Sequence, residues 1–166
     1  DGTVKIAESY GAKVIHFPWT GSFAEARNVS LDHATGDWVL QLDADERIVP
    51  EDAPKIRSLL SRTYREGFQL VETNYTGDTN NAGAVTHNAL RLWRHRPEYR
   101  FTGAIHEQKS ENMPTWLAER FELTGIRMLH FGYLKEVINS RDKNRRNLEL
   151  LLKEEQQNPS PFNQFN

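Results

Sequence analysis

The chain has 166 residues, of which 37% are hydrophobic and 27% are charged, and this length suits a single globular domain. Its 10 glycines and 7 prolines are too few for a collagen-like or low-complexity class. A formal net charge of −2 gives no basic footprint for nucleic acid, and the absence of cysteine excludes disulfide scaffolds, thiolate metal sites and cysteine nucleophiles.

The sequence carries neither a membrane span nor a targeting pattern. No apolar run approaches the roughly 18 residues that a transmembrane helix needs. The first residues, Asp1-Gly2-Thr3-Val4-Lys5, lack the layout of a signal peptide. We therefore expect a cytoplasmic protein.

The first half of the chain predicts alternating helices and strands. The spacing of apolar residues predicts a helix that ends near Gly11, followed by a short strand over residues 13–17. A helix over residues 22–34 is followed by an almost continuously apolar strand over residues 38–42, a pattern typical of a strand buried on both faces of a parallel sheet. Acidic residues after Pro50 indicate the start of another helix. This alternation is typical of an α/β fold.

The second half predicts further strands and one long helix. Strands are expected over residues 68–75 and 89–94, joined by a polar loop over residues 77–83, and again over residues 126–133. A short helix is expected over residues 115–121 and an amphipathic helix over residues 135–156. We therefore expect residues 1–157 to form one α/β domain, and residues 158–166 to form a tail or the start of a further region.

An acidic turn follows the apolar strand at Asp43-Ala44-Asp45-Glu46. In open α/β sheets, ligands bind outside the carboxyl ends of the strands. Carboxylate ligands favour Mg²⁺ or Mn²⁺, and Mg²⁺ is usually shared with substrate phosphates. The turn thus predicts a divalent cation that bridges a diphosphate; the alternative is a solvated acidic turn that caps the following helix.

Two further segments carry titratable side chains. Glu107, which follows His106, is placed like a general base that could take a proton from an acceptor hydroxyl, although a surface glutamate beside a histidine is an equal alternative. His130 is a lone polar residue in an apolar strand. A hydrogen-bonded core histidine is the usual explanation of that pattern, and a metal or phosphate ligand is the other.

Basic and amide side chains complete the candidate set. Arg27 and Asn28 lie on the predicted helix after Gly21, where the arginine could reach phosphates and the amide a base or ribose. An exposed helix face explains them equally well. The arginine series at positions 91, 94, 96 and 100 is more typical of one solvated face of a strand than of an anion site.

These segments together resemble the family-two glycosyltransferases of the GT-A fold. The resemblance is carried by Asp1-Gly2-Thr3, Ala26-Arg27-Asn28, residues 36–46 and residues 102–107. It is strongest to a bacterial branch with Asp-Ala-Asp-Glu and His-Glu motifs, which includes lipopolysaccharide-core glucosyltransferases and enzymes that glycosylate peptides. It implies an α/β, GT-A-like fold with a mainly parallel, mixed sheet flanked by helices. Only the end of the family's first Asp-Gly-Thr turn is present, so we expect a domain truncated at its N-terminus.

The resemblance also implies an activity and roles for individual residues. The expected reaction moves a sugar, with inversion, from a nucleotide-diphosphate donor, usually uridine diphosphate linked, to an acceptor hydroxyl. The acceptor would be a saccharide, a peptide or a lipid-linked molecule, and the last would bring the protein to the inner membrane face. The implied roles are Glu107 as the base, Asp45 and His130 as metal ligands, and Arg27, Asn28, Asp43 and His106 as donor-binding residues.

Two other functions remain open from the residues themselves. A non-catalytic module that binds a nucleotide sugar or a metal would use the same acidic turn. A metal-dependent phosphohydrolase or nucleotidyltransferase would also use it, but the sequence lacks the Gly-rich phosphate loop that this chemistry favours.

Overall fold

A computed structural model describes residues 2–62, 64–78, 81–103, 108–109, 113–134, 143–157 and 159. The helices are α1 (Thr3–Ser9), α2 (Phe23–Asp32), α3 (Ala53–Leu59) and α4 (Lys143–Gln157), and a 3₁₀ turn spans Ala118–Arg120. The strands are β1 (Trp38–Leu40), β2 (Glu46–Ile48), β3 (Gly67–Asp78), β4 (Asn81–Arg94), β5 (Phe101–Thr102), β6 (Gln108–Lys109) and β7 (Phe121–Leu134).

Five strands form one sheet in the order β1-β4-β3-β7-β2, and β5 pairs with β6 separately. The mixed sheet with flanking helices agrees with the α/β, GT-A-like fold that the resemblance implies. Parallel pairing does not predominate among the described strands: β3 and β7 are parallel, and the other pairs are antiparallel. The difference arises because β3 and β4 form a hairpin, and a hairpin connection forces antiparallel pairing.

The two faces of the sheet are covered by different helices. Phe68 and Leu70 of β3 and Leu92 of β4 are fully buried in a cluster that includes Leu59 of α3. The next residue of β4, Trp93, belongs to a second cluster with Leu31 of α2. Successive side chains of a strand point to opposite faces, so α2 and α3 pack on opposite sides of β4.

The ends of the first two helices follow the sequence signals. Ser22 caps α2, because its Oγ accepts a hydrogen bond from the backbone N–H of Glu25 at 3.2 Å. After α1 the backbone N–H of Gly11 donates to the carbonyl of Glu8, and that of Ala12 donates to the carbonyl of Ala7. Gly11 has a φ of +73°, so these bonds form a Schellman ending and confirm the predicted cap.

Several predicted elements differ in extent. No strand forms over residues 13–17, because no described strand lies beside this segment to take its backbone hydrogen bonds. The strand after α2 is three residues long and half-buried at the sheet edge, with Leu40 and Leu42 exposed, so burial on both faces is wrong. The predicted loop over residues 77–83 is largely strand, since the hairpin is longer than expected. Residues 135–142 and 160–166 lie outside the described residues. Within the described part of the chain, α4 begins at Lys143.

Helix α3 is held to β7 by a buried carboxylate. Asp52 precedes α3 and is only 1% exposed. Its carboxylate accepts hydrogen bonds from Lys55 Nζ at 2.5 Å and from the backbone N–H and Nε of Arg127 at 3.1 and 2.7 Å. The bonds from Arg127 and Lys55 hold the pKa of Asp52 below its usual value.

None of the helices in the described ranges is long and apolar enough to cross a membrane.

Removal of the Phe68 ring tests the assignment of the core. We expect Phe68→Ala to lower the free energy of unfolding by about 3–5 kcal/mol, because the ring leaves a cavity in the centre of the sheet. Leu123→Ala is the matched control on β7, where the side chain is 65% exposed, and should change stability by less than about 0.5 kcal/mol. Equal effects of the two substitutions in urea denaturation would contradict this core.

The environment of Asp52 predicts a pH-dependent contribution to stability. The folded-state pKa lies below the unfolded value of about 3.9, so the contribution is complete above that value and is lost as the pH falls through the folded pKa. Asp52→Asn should therefore be less stable than the wild type at neutral pH, and the gap should narrow at about pH 3. Urea denaturation at both pH values measures the gap, and a constant gap would contradict the ion pairs.

Candidate functional site

The pairing of β2 with β7 brings the acidic turn to His130. Glu46 is the partner of His130 in this antiparallel register, and the backbone N–H of Phe131 donates to the carbonyl of Asp45 at 3.0 Å. The Asp45 carboxylate consequently lies 3.6 Å from Nε2 of His130. Two residues that are 85 positions apart in the sequence thus meet at one end of the sheet.

Gly132 leaves open the space between these two side chains. A Cβ atom at this position would lie 2.5 Å from Nε2 of His130 and 2.6 Å from Oδ2 of Asp45. Both distances are far shorter than van der Waals contact. The absence of a side chain at residue 132 lets the carboxylate and the imidazole take these positions.

A buried arginine joins the acidic turn to the central strands. Nη2 of Arg91 lies 2.5 Å from Oε1 of Glu46 and 2.9 Å from Oε2 of Glu72. The backbone N–H of Asp43 donates to the other oxygen of Glu46 at 2.7 Å. Burial raises the pKa of Glu46, and the Asp43 amide and Arg91 offset this only in part.

Arg27 of α2 clamps the first aspartate of the turn. Its Nη1 and Nη2 donate to the two oxygens of Asp43 at 2.8 and 3.1 Å, a bidentate geometry. Burial alone would raise the pKa of Asp43, but the hydrogen bonds and charge of Arg27 outweigh it and lower the pKa. Asp43 is therefore fixed as a carboxylate that faces a cation.

Asn28 holds the hairpin that leads to the predicted base. Its Nδ2 donates to the carbonyl of Phe101 at 3.0 Å, and its Oδ1 accepts from the backbone N–H of Phe101 at 2.9 Å. These two bonds fasten β5 to α2. His106 and Glu107, between β5 and β6, lie outside the described residues.

Polar residues of the β3–β4 hairpin contact the other nitrogen of the His130 ring, Nδ1. Nδ1 of His130 lies 2.5 Å from Oδ1 of Asn74, which is buried, and 3.8 Å from Oε1 of Glu72. Nδ2 of Asn74 lies 3.2 Å from Nδ1 of His87 on β4. Tyr133 contacts the His130 ring edge-on, with the ring centroids 5.0 Å apart.

Two groups of side chains in the described part of the chain offer metal-ligand atoms. Ligand atoms of Glu46, Glu72 and His130 lie within 4.8 Å of one another. Arg91 already lies between the two glutamates, so a cation there would have to compete with its guanidinium. Asp45 Oδ1 and His130 Nε2, 3.6 Å apart, are a second pair of ligand types.

The sequence indicated some of these residues and missed others. The arginine pattern favoured a solvated strand face for Arg91, and no motif indicated a role for Glu72, Asn74, His87 or Gly132. A signal existed in the alternation of Glu72 and Asn74, because residues two apart on a strand share a face. The close approach at Gly132 had no sequence signal, since it depends on the pairing of β2 with β7.

The chain matches the family model described as glycosyl transferase family 2 over residues 1–138. It is 34% identical over 149 residues to a TPR repeat-containing protein of Synechococcus elongatus, which covers 85% of this chain and 35% of that protein. It is 27% identical over 144 residues to the SPbeta prophage-derived glycosyltransferase SunS of Bacillus subtilis, which covers 85% of this chain and 33% of SunS. It is 48% identical over 103 residues to an uncharacterized glycosyltransferase of Rickettsia typhi, with 56% of this chain and 33% of that protein covered. The chain thus spans about a third of the length of these relatives.

Substitution of Gly132 tests the convergence of Asp45 and His130. We expect Gly132→Ala to displace the ends of both side chains and to shift the ring resonances of His130 in NMR spectra. The cost in stability should stay below about 2 kcal/mol, because side-chain ends can move where backbone cannot. Gly125→Ala on the same strand is the control, since a Cβ there meets no atom within 4 Å. Unchanged His130 resonances in Gly132→Ala would contradict the geometry.

Proposed function

This chain belongs to glycosyl transferase family 2, and from that membership we propose that it is the core of a metal-assisted glycosyltransferase. The proposed reaction transfers a sugar from a nucleotide-diphosphate donor, uridine diphosphate linked, to an acceptor hydroxyl. The acceptor oxygen attacks the anomeric carbon from the face opposite the leaving diphosphate, so the configuration inverts. The observation that carries the proposal is the convergence of Asp45 and His130 on the gap that Gly132 leaves.

Asp45 and His130 are the proposed ligands of the divalent cation. A carboxylate oxygen and an imidazole nitrogen are a donor pair that Mn²⁺ and Mg²⁺ accept, and no side chain at residue 132 blocks the space between them. The bound cation would supply positive charge for the leaving diphosphate. The chain's own task is to hold the two ligands in place through the register of β2 and β7.

Arg27, Asp43 and Asn28 are proposed to organise the donor side of the site. The clamp from Arg27 fixes Asp43, so that this carboxylate is oriented toward the ribose or the sugar before the donor binds. Asn28 acts on the donor through the β5 segment that it fastens, or directly. His106 is proposed to complete the donor site.

Glu107 is the proposed general base. It would accept the proton of the acceptor hydroxyl as the new glycosidic bond forms, a role that typically accelerates a reaction about 10²–10⁴-fold. Its support is the resemblance of residues 102–107 to the family motif. A saccharide, peptide or lipid-linked acceptor and a cytoplasmic location stay predictions of the sequence.

Calorimetric titration of uridine diphosphate into the chain, with and without Mn²⁺, tests the donor and the metal together. We expect Mn²⁺ to strengthen binding, and Asp45→Asn to abolish that enhancement because a carboxylate ligand is lost. Gly125→Ala should bind like the wild type. Binding that is equal with and without Mn²⁺ would contradict the metal site. Absence of binding both by this folded chain and by a folded version extended upstream of Asp1 would contradict the uridine donor.

Glu107→Gln separates an enzyme from a non-catalytic binding module. We expect this variant to bind uridine diphosphate and Mn²⁺ normally and to lose at least about 100-fold in transfer or donor hydrolysis. Turnover equal to that of the wild type would contradict the assignment of Glu107 as the base.

A further inference from the structure

The hydrogen bonds of Asn74 define which ring nitrogens of two histidines carry protons. An amide oxygen only accepts and an amide nitrogen only donates. Oδ1 of Asn74, at 2.5 Å from Nδ1 of His130, must therefore receive a proton that this nitrogen carries. Nδ2 of Asn74, at 3.2 Å from Nδ1 of His87, must meet a nitrogen with a free lone pair. With the amide in this orientation, neutral His130 would carry its proton on Nδ1 and neutral His87 on Nε2.

The neighbouring carboxylate favours this arrangement over the reversed amide. Glu72 is buried, and its oxygens lie 3.8 Å from Nδ1 of His130 and 3.9 Å from Nε2 of His87, which are the two nitrogens assigned protons. Asp45 lies 3.6 Å from Nε2 of His130, but it is more exposed than Glu72, so solvent weakens its field more strongly. Reversal of the amide would direct a nitrogen lone pair of His130 toward the Glu72 carboxylate.

We propose that Asn74, oriented by His87, is a positioning residue that fixes His130 as the Nδ1–H tautomer and so leaves the Nε2 lone pair beside the Asp45 carboxylate. The inference rests on the proposed function, because the lone pair serves to bind the divalent cation. Asn74 touches neither the donor nor the metal in this account. It acts through the imidazole, as outer-shell hydrogen bonds to ligand histidines generally do.

The tautomers can be measured without metal, donor or activity. Nitrogen-15 NMR of the 166-residue chain at about pH 8, above the usual histidine pKa of about 6.5, reports which ring nitrogen is protonated. We expect Nδ1–H at His130 and Nε2–H at His87. The opposite tautomer at His130 would overturn the proposal, whether or not the chain binds uridine diphosphate.

Variants of Asn74 test the consequence for the metal, with Mn²⁺ alone as the probe. Asn74→Leu removes the acceptor, and we expect a loss of the Nδ1–H preference and a fall of about 10–100-fold in Mn²⁺ affinity. Asn74→Asp keeps an acceptor oxygen for Nδ1–H and should retain both the tautomer and most of the affinity. Failure of the aspartate variant to rescue the tautomer would overturn the assigned role of the oxygen.

A matched control lies on the opposite face of the same two strands. Thr73 and Thr86 contact each other through their hydroxyl oxygens at 3.3 Å, so Thr73→Val removes a cross-strand polar contact next to Asn74 in sequence. We expect this variant to leave the His130 tautomer and Mn²⁺ binding unchanged. An equal change in both variants would mean that Asn74 contributes only to the stability of the hairpin. If Mn²⁺ fails to bind even to the wild type while the Nδ1–H tautomer is present, the metal proposal fails and the positioning by Asn74 stands.

Discussion

The ion pairs of Arg91 with Glu46 and Glu72 are the interactions on which the site depends most. Arg91 joins Glu46 of the acidic turn to Glu72 of the central strand β3, and it does so from β4. Removal of charges from water is costly, and a buried charge without its partner costs far more than an intact pair. Loss of any one of these three side chains would therefore leave a desolvated charge without one of its partners. Arg91 thus connects the acidic turn to both central strands.

The register of β2 and β7 extends this constraint to the proposed ligands. Once Glu46 is held by Arg91, its pairing with His130 sets the position of Asp45 at the adjacent turn residue. The gap at Gly132 then depends on side-chain size alone. A one-residue slip of β2 would turn its side chains to the opposite face and separate Asp45 from His130. The precision of the site therefore resides in backbone pairing, whereas the acidic turn itself is short and irregular.

Helix ends could be predicted from residues close together in the sequence, whereas strand burial and the contacts of the site depend on pairing between distant strands. Ser22 and Gly11 mark helix ends through bonds within a few residues, so the sequence reveals them directly. Burial on both faces was predicted wrongly for the apolar strand after α2, because composition cannot distinguish a central strand from an edge strand that α2 covers on one side. Asn74 was missed for a related reason: its role requires His130, which is 56 positions away and joins it through the parallel pairing of β3 and β7.

The carboxylates around the acidic turn differ in how they are held. Arg27 pairs with Asp43, and Arg91 joins Glu46 to Glu72, whereas Asp45 lies 3.6 Å from Nε2 of His130. At Glu46 burial raises the pKa, the Asp43 amide and Arg91 lower it, and the charges of Asp43 and Glu72 raise it again, so the net direction is upward. The two arginines therefore fix three carboxylates by ion pairs, and the backbone pairing of β2 with β7 positions Asp45 by bringing it to His130.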